Sequence, residues 1–344
     1  MTTKYILPTL ISIVLPVLMA SCSAEEDNTV RTGHGVAIVP TATLYMAQTS
    51  SKAGELSGPV LGTTFPKDTK NVFAVTGYLG NAVPTKDYNI TYFHNESVSS
   101  DNKGEMTFNT PQYYHNTGKL YFYAYSPVTE SGYNKGDATK QPTVTFNITD
   151  KAIDILWDKF EKGIASAKTN AGETQEHPSF AFEHKLQQLR FKFVKGNGLK
   201  SGCKVTEISV TGNPTSTSDN ANKLKGKAIL NLITGNVAYE GDNVEHKLEK
   251  LSCDIKAAAD AKEIDECFLT RPVQKIKLTI KYTTPTGDNK TVIANVDLNG
   301  AQTDKGGKSY LLTINFTSGL DVIITVVENN DWHNCPQDPQ YIDS

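Results

Sequence analysis

Lys275-Ile276-Lys277-Leu278-Thr279-Ile280-Lys281 puts three apolar side chains on one side of an extended chain and three lysines and a threonine between or beside them on the other. Successive side chains of a strand point to opposite faces, so this stretch predicts a strand with one face packed and one face wet, as in an antiparallel sandwich. The same alternation recurs on both sides of it. Leu189, Phe191 and Phe193 alternate with Arg190 and Lys192, Ile208 and Val210 with Glu207 and Ser209, and Val144, Phe146 and Ile148 with Thr143, Thr145 and Asn147.

Further toward the C-terminus, Tyr310 to Phe316 and Asp321 to Val327 are joined by the hairpin-sized Thr317-Ser318-Gly319. Val322 to Val327 is apolar on both faces, which predicts a strand that is either central and covered or waiting for a partner. Toward the N-terminus, Leu120, Phe122 and Ala124 oppose Tyr121, Tyr123 and Tyr125, so aromatic and apolar groups on both faces predict a strand covered on both sides. Further strands are expected at Met106 and Phe108, at Asn71 to Val75, and at Val36 to Val39 and Thr41 to Met46, where Pro40 requires an edge or a bulge. One segment departs from this period. Ile153, Leu156, Trp157, Phe160 and Ile164 fall at helical spacing, and Thr149 or Asp150 suits a cap, so a short amphipathic helix is predicted within Asp150 to Lys168.

The chain has 344 residues, 38% apolar and 21% charged, with a formal net charge of -3. That balance argues against a disordered polyelectrolyte and an integral membrane protein, and the length suits about two domains. Of the 34 basic residues only Arg31, Arg190 and Arg271 are arginines, which disfavours nucleic acid as a partner.

At the N-terminus, Lys4 precedes an apolar run from Tyr5 to Ala20 that Pro8 and Pro16 interrupt, too short and broken for a spanning helix. It ends in Leu18-Met19-Ala20-Ser21-Cys22, which resembles the lipobox of bacterial lipoproteins, and Ser23-Ala24-Glu25-Glu26-Asp27 resembles the signal that carries such lipoproteins to the outer leaflet in Bacteroidetes. The expectation is a signal peptide over 1–21, acylation at Cys22, and a soluble ectodomain on a tether.

Chemistry of other kinds is sparse in the sequence. None of the seven histidines has metal-ligand spacing, and His184, the one that looks placed, reads as a structural residue. Gly306-Gly307-Lys308-Ser309 imitates the end of a phosphate loop but has Gln302 where the first glycine belongs and a strand after it, so it reads as a turn. There is no Gly-x-Ser-x-Gly and no Cys-x-x-Cys. No metal, cofactor or catalytic residue is expected, and the chain is read as no enzyme. Besides Cys22 there are Cys203, Cys253, Cys267 and Cys335; Cys253 with Cys267 closes the shortest loop and is the preferred pair, with free buried thiols as the alternative.

Several segments together resemble the fimbrillin family of Bacteroidetes pilins. They are the lipobox with its acidic start, Gly62-Thr63-Thr64-Phe65-Pro66 running to Val72-Phe73-Ala74, Leu120 to Pro127, Phe180 to Leu186, Phe268 to Pro272, and Gly307 to Leu312 before a last hairpin that ends near Trp332. The resemblance implies an all-β chain of two transthyretin-like Greek-key sandwich domains, here 36–176 and 177–333, after a tether of 22–35 and before a tail of 334–344. It also implies an extended course for Asp154 to Trp157, in conflict with the helix. For function it implies a shaft or tip subunit of a fimbria, exported as an outer-membrane lipoprotein, cut after an arginine and joined to other fimbrial subunits by strand addition. A host or bacterial surface ligand is a further implied partner. Arg31, before Thr32, is the only arginine ahead of Arg190 and is the expected cut. Cys22 to Arg31 is too poor in apolar side chains to have filled a groove, and Pro336 and Pro339 make the tail a poor donor strand, so Asp321 to Val327 is the better donor. The alternative function is a monomeric glycan-binding surface lipoprotein, with Tyr113, Tyr114, Tyr121 and Tyr123 as stacking platforms.

Overall fold

In a computed structural model, the structure describes residues 36–45, 73–80, 91–101, 104–115, 117–149, 153–165, 174–216, 218–298, 307–317, 321–329 and 332. The signal segment, Cys22, Arg31, Thr32, the segment from Gly62 to Pro66, Cys335 and the tail lie outside the described residues. Those that are described contain strands and no helix. In the first half these are β1 (Thr41–Tyr45), β2 (Phe73–Gly80), β3 (Thr91–Ser100), β4 (Met106–Phe108), β5 (Lys119–Ser126), β6 (Tyr133–Asn134), β7 (Thr143–Asn147), β8 (Leu156–Ala165) and β9 (Ser179–His184). In the second half they are β10 (Gln187–Lys195), β11 (Lys204–Gly212), β12 (Lys225–Asn231), β13 (Val237–Asn243), β14 (Glu245–Leu248), β15 (Cys253–Asp254), β16 (Phe268–Thr270), β17 (Lys275–Thr283), β18 (Asn289–Asp297), β19 (Ser309–Phe316) and β20 (Val322–Asn329).

The first half is a seven-stranded sheet in the order β1-β9-β8-β5-β2-β3-β4. Its two ends meet, because Ala42 N–H donates to Gly104 O at 2.7 Å and Met106 N–H donates to Pro40 O at 3.0 Å. The inward face gathers Phe73, Val75, Phe93, Val98, Leu120, Phe122, Leu156, Ile164, Phe180 and Phe182 into a core. Burying each such side chain contributes roughly 1.5–3 kcal/mol, which is what holds the closed form against its conformational entropy. Gly77 lies under the Phe93 ring, where a Cβ would sit 2.7 Å from ring carbon.

The second half is a sandwich of the sheet β16-β10-β19-β20 on the sheet β14-β11-β17-β18, with β15 added to β11. The strand that opened the sequence reading is β17, and Ile276, Leu278 and Ile280 are all buried in the core between these sheets. A fourth sheet, β13-β12-β7-β6, draws strands from both halves, with Ala228 opposite Phe146 and Leu230 opposite Val144 across β12 and β7. It covers the outer face of the first sheet, so Tyr125 and Trp157 pack with Phe146, Leu230 and Leu186.

Two expectations are corrected here. The segment read as a helix is strand β8, with β5 as its antiparallel partner. Leu156 faces the inner core and Trp157 the outer one, so both faces are buried and period two is hidden; a bulge opposite Tyr121 and the positive φ of Gly163 disturb it further. The boundary at 176/177 also moves. β9 belongs to the first sheet, and the chain passes to the second half through Lys185 and Leu186.

Candidate assembly surface

β20 is the feature of the described surface that a strand-rich chain normally suppresses. It pairs along its whole length with β19, from Phe316 opposite Val322 to Ser309 opposite Asn329, and no other described strand pairs with it. Its inward side chains Val322, Ile324 and Val326 are half-buried against the sandwich core. Its outward ones are Ile323, Thr325 and Val327, and Ile323 is 61% and Val327 50% exposed. Edges are usually blunted by short length, proline or charge. β20 is eight residues long, and Val322 to Val327 carries neither proline nor charge. Two other strands at sheet ends differ: β14 reads Glu-His-Lys-Leu, and β4 has three residues and is closed against 40–42. The first charge on β20 is Glu328, which Lys308 Nζ meets at 3.0 Å. Burial and that carboxylate push the Tyr310 phenol, opposite Glu328 in the ladder, up from its ordinary value, so this end of the strand is neutral apart from the ion pair.

The sequence showed a strand apolar on both faces, and the structure resolves the alternative. β20 is an edge, in place in its own sheet. Beside it the second edge, β18, presents Ile293, which is 59% exposed and which alternation between Val292 and Ala294 did not single out.

The other predicted sites become structural groups. His184 is buried, with Nδ1 2.8 Å from Asp154 Oδ2, and its ring stacks on Trp332. Cys253 is a free thiol and Cys267 is disulfide-bonded, so the preferred Cys253–Cys267 pair does not form; Cys203 is also free and buried. Cys253 pairs in register with Val205 of β11, which keeps it on the β11 side of the sandwich. Tyr114, Tyr121 and Tyr123 are buried, which removes these three as platforms for a sugar ring, and Tyr113 is half-buried. The Tyr114 hydroxyl donates to Glu176 O at 2.7 Å, and Tyr123 packs edge-on against Tyr78. These rings are consumed by sheet packing because aromatic side chains fill a covered pleat well.

Two of the three arginines are held within the fold. Arg190, 1% exposed, donates through Nη1 to Glu263 at 2.8 Å. Arg271 donates through Nη1 to Asn220 O at 2.6 Å and Lys223 O at 3.1 Å, and its guanidinium lies 5.2 Å from the Tyr239 ring centroid. Among the described residues no three His, Cys, Asp or Glu side chains gather as a metal site.

One half-buried carboxyl has no counterpart among the sites expected from the sequence. Asp158 accepts a hydrogen bond from Ala181 N–H at 2.7 Å where β8 parts from β9, and burial raises its pKa to about 6. In the sequence it sits among Lys159, Glu161 and Lys162 and reads as a surface charge.

Comparison with known proteins agrees with this architecture. A candidate cell adhesion protein from Bacteroides uniformis superposes with a TM-score of 0.52 at 18% identity, over 86% of this chain and 98% of that one. Candidate cell adhesion proteins from Bacteroides fragilis and Bacteroides ovatus give TM-scores of 0.48 and 0.47 at 13% and 14% identity, each over 86% of this chain and 97% and 96% of theirs. No curated protein matches the chain. The model of the fimbrillin-like family matches residues 62–332, most of the chain and both of its halves, and the chain therefore belongs to the fimbrillin-like family.

Proposed function

We propose that the chain is a structural and adhesive subunit of a cell-surface fimbria, with β20 as the edge to which a strand of a neighbouring subunit adds. The observation that carries this is the uncharged course of Val322 to Val327, paired on one side only among the described strands and with Ile323 and Val327 outward, in a chain of the fimbrillin-like family. An added strand satisfies the free backbone groups of β20 and covers its outward side chains, which is the energetics of strand addition. Because Val322, Ile324 and Val326 already pack in their own core, β20 suits the accepting role better than the donating one expected from the sequence.

Export follows the N-terminal motif: acylation at Cys22, delivery to the outer membrane surface, and release by a cut between Arg31 and Thr32. The engagement of Arg190 and Arg271 within the fold supports Arg31 as the arginine open to a protease. Partners in this reading are other fimbrial subunits and a ligand on a host or bacterial surface, with no cofactor and no catalysis. N-terminal sequencing and native gels of protein released from cells test it. A start at Thr32 with heat-labile oligomers is expected; acylated full-length monomer alone would overturn the polymerising role.

A further inference from the structure

The hydrogen bonds of the segment that leads out of the tether are arranged on both of its sides. On one side Tyr114 N–H donates to Val36 O at 3.1 Å, Ile38 N–H to Gln112 O at 2.8 Å, Met106 N–H to Pro40 O at 3.0 Å and Ala42 N–H to Gly104 O at 2.7 Å. On the other, Val39 N–H reaches His177 Nδ1 at 3.2 Å and Thr41 N–H donates to Pro178 O at 3.0 Å, after which β1 runs parallel to β9 from Thr41 opposite Ser179 to Tyr45 opposite Glu183. Only three residues separate the last of those pairs from Gln187, which begins β10, an inner strand of the second half. There β10 runs parallel to β19 from Gln188 opposite Ser309 to Lys195 opposite Phe316.

We propose that these two parallel ladders, β1–β9 and β10–β19, form a mechanical clamp that carries tension from the N-terminal tether to the far end of the second half. In a parallel pair pulled by the start of one strand and the end of the other, every cross-strand bond is strained at once, and the pair resists in shear. When instead two strand ends at the same end of a sheet are drawn apart, the bonds break one after another. Tension on the tether pulls the start of β1, and the counterforce reaches β9 through its end, which is continuous with β10. It then enters β10 at its start and leaves through the far hairpin, where β19 ends at Phe316 and β20 begins at Val322. Both ladders are in shear along this route.

The C-terminus offers the contrary geometry. Asn329 pairs with Ser309, beside Gln188, so the end of β20 and the start of β10 lie at the same end of the sheet. Pulling there first lifts Trp332 off His184 and then peels β20 from β19 pair by pair. The chain is thus strong along one route and weak along another, as suits a subunit loaded between its N-terminal segment and its far hairpin. The biological meaning rests on the surface-subunit reading above, whereas the mechanical property belongs to the isolated chain.

Single-molecule force spectroscopy separates the two. The mature chain is pulled from its N-terminus against a handle inserted after Thr317, and separately against a handle at the C-terminus, at one loading rate. Forced unfolding reports the barrier of the loaded route, so the first rupture is expected at about twofold higher force with the Thr317 handle. Equal or lower force with that handle overturns the proposal, whatever is found on cells. Thr41→Pro removes the donor to Pro178 O at an exposed position and is expected to lower the first rupture force of the Thr317 geometry while leaving the C-terminal geometry unchanged. Loss in both geometries alike would show general weakening and overturn the role of β1, and the comparison of handles in the parent chain stands without this variant.

Discussion

The indole of Trp332 lies on the imidazole of His184, ring centroids 3.8 Å apart and planes 19° from parallel. The imidazole in turn holds Asp154 through Nδ1, so a residue three positions beyond β20 is stacked on the last residue of β9. Trp332 is 5% exposed and shares its core with Leu186, Leu269 and Trp157. The end of the second half is thereby fastened to the end of the first.

Trp332→Ala is expected to lower the unfolding free energy by about 3 kcal/mol, the usual cost of deleting a buried aromatic ring, and Trp332→Phe by clearly less. Urea unfolding of the full chain measures both; an unchanged midpoint for the alanine variant would show that the ring fastens nothing.

The carboxyl of Asp158 makes stability depend on pH in an uncommon direction. Its folded pKa of about 6 lies above the ordinary value of 3.8, so the folded state holds the proton more tightly than the unfolded chain. The contribution is fully present below about pH 4 and is lost as pH rises through 6. Asp158→Asn keeps an acceptor for Ala181 N–H and is expected to be more stable than the parent by about 1–2 kcal/mol at pH 8, after discounting for partial solvent access, and equal to it at pH 4. Denaturant melts at the two pH values check the sign.

Gly235 supports the seam between the halves. Its φ is +70°, and a Cβ there would stand 2.4 Å from the Trp157 ring, whose Nε1–H donates to Leu232 O at 2.9 Å. Gly235→Ala is expected to cost about 1–3 kcal/mol from backbone strain alone and to displace the indole, which near-UV circular dichroism would register.

Ile323→Lys and Val327→Lys place charges on the outward face of β20. Each is expected to change monomer stability by less than about 0.5 kcal/mol, because neither side chain is buried, and to abolish oligomers. Size-exclusion chromatography beside thermal melts distinguishes this from unfolding.

The thiols differ in reach. Burial raises the pKa of both Cys203 and Cys253, which makes each a sluggish nucleophile. Maleimide is expected to modify half-buried Cys253 slowly in the native chain and Cys203 only after unfolding, while Cys267 stays unlabelled until reduction; labelling of Cys203 at the native rate of Cys253 would contradict the burial described.

Strands with one wetter face were legible in the sequence because alternation survives where solvent meets one side, as in β17 and β7. β8 was not, since Leu156 and Trp157 face different cores and the apolar spacing then mimics a helical turn. The shared sheet was hidden for another reason: the pairing of Val144 with Leu230 is a long-range choice that no local pattern encodes. The role of β20 was half visible. Its two apolar faces could be read from residue types, but whether a neighbour covered them depended on where the chain runs next. Arg190 and Asp158 looked like surface charges, since burial of a charge is set by the fold around it and not by its neighbours in sequence.

The sheet built from both halves bears on how the chain is made. When the first 184 residues have crossed a membrane or left a ribosome, β7 has not met β12, and the face carrying Tyr125 and Trp157 has only the strand of Val144 and Phe146 over it until residue 231 follows. The first half is therefore an unfinished piece during its own synthesis. An expression fragment ending there would expose an aromatic surface and a bare strand edge, and would be expected to aggregate where the whole chain stays in solution.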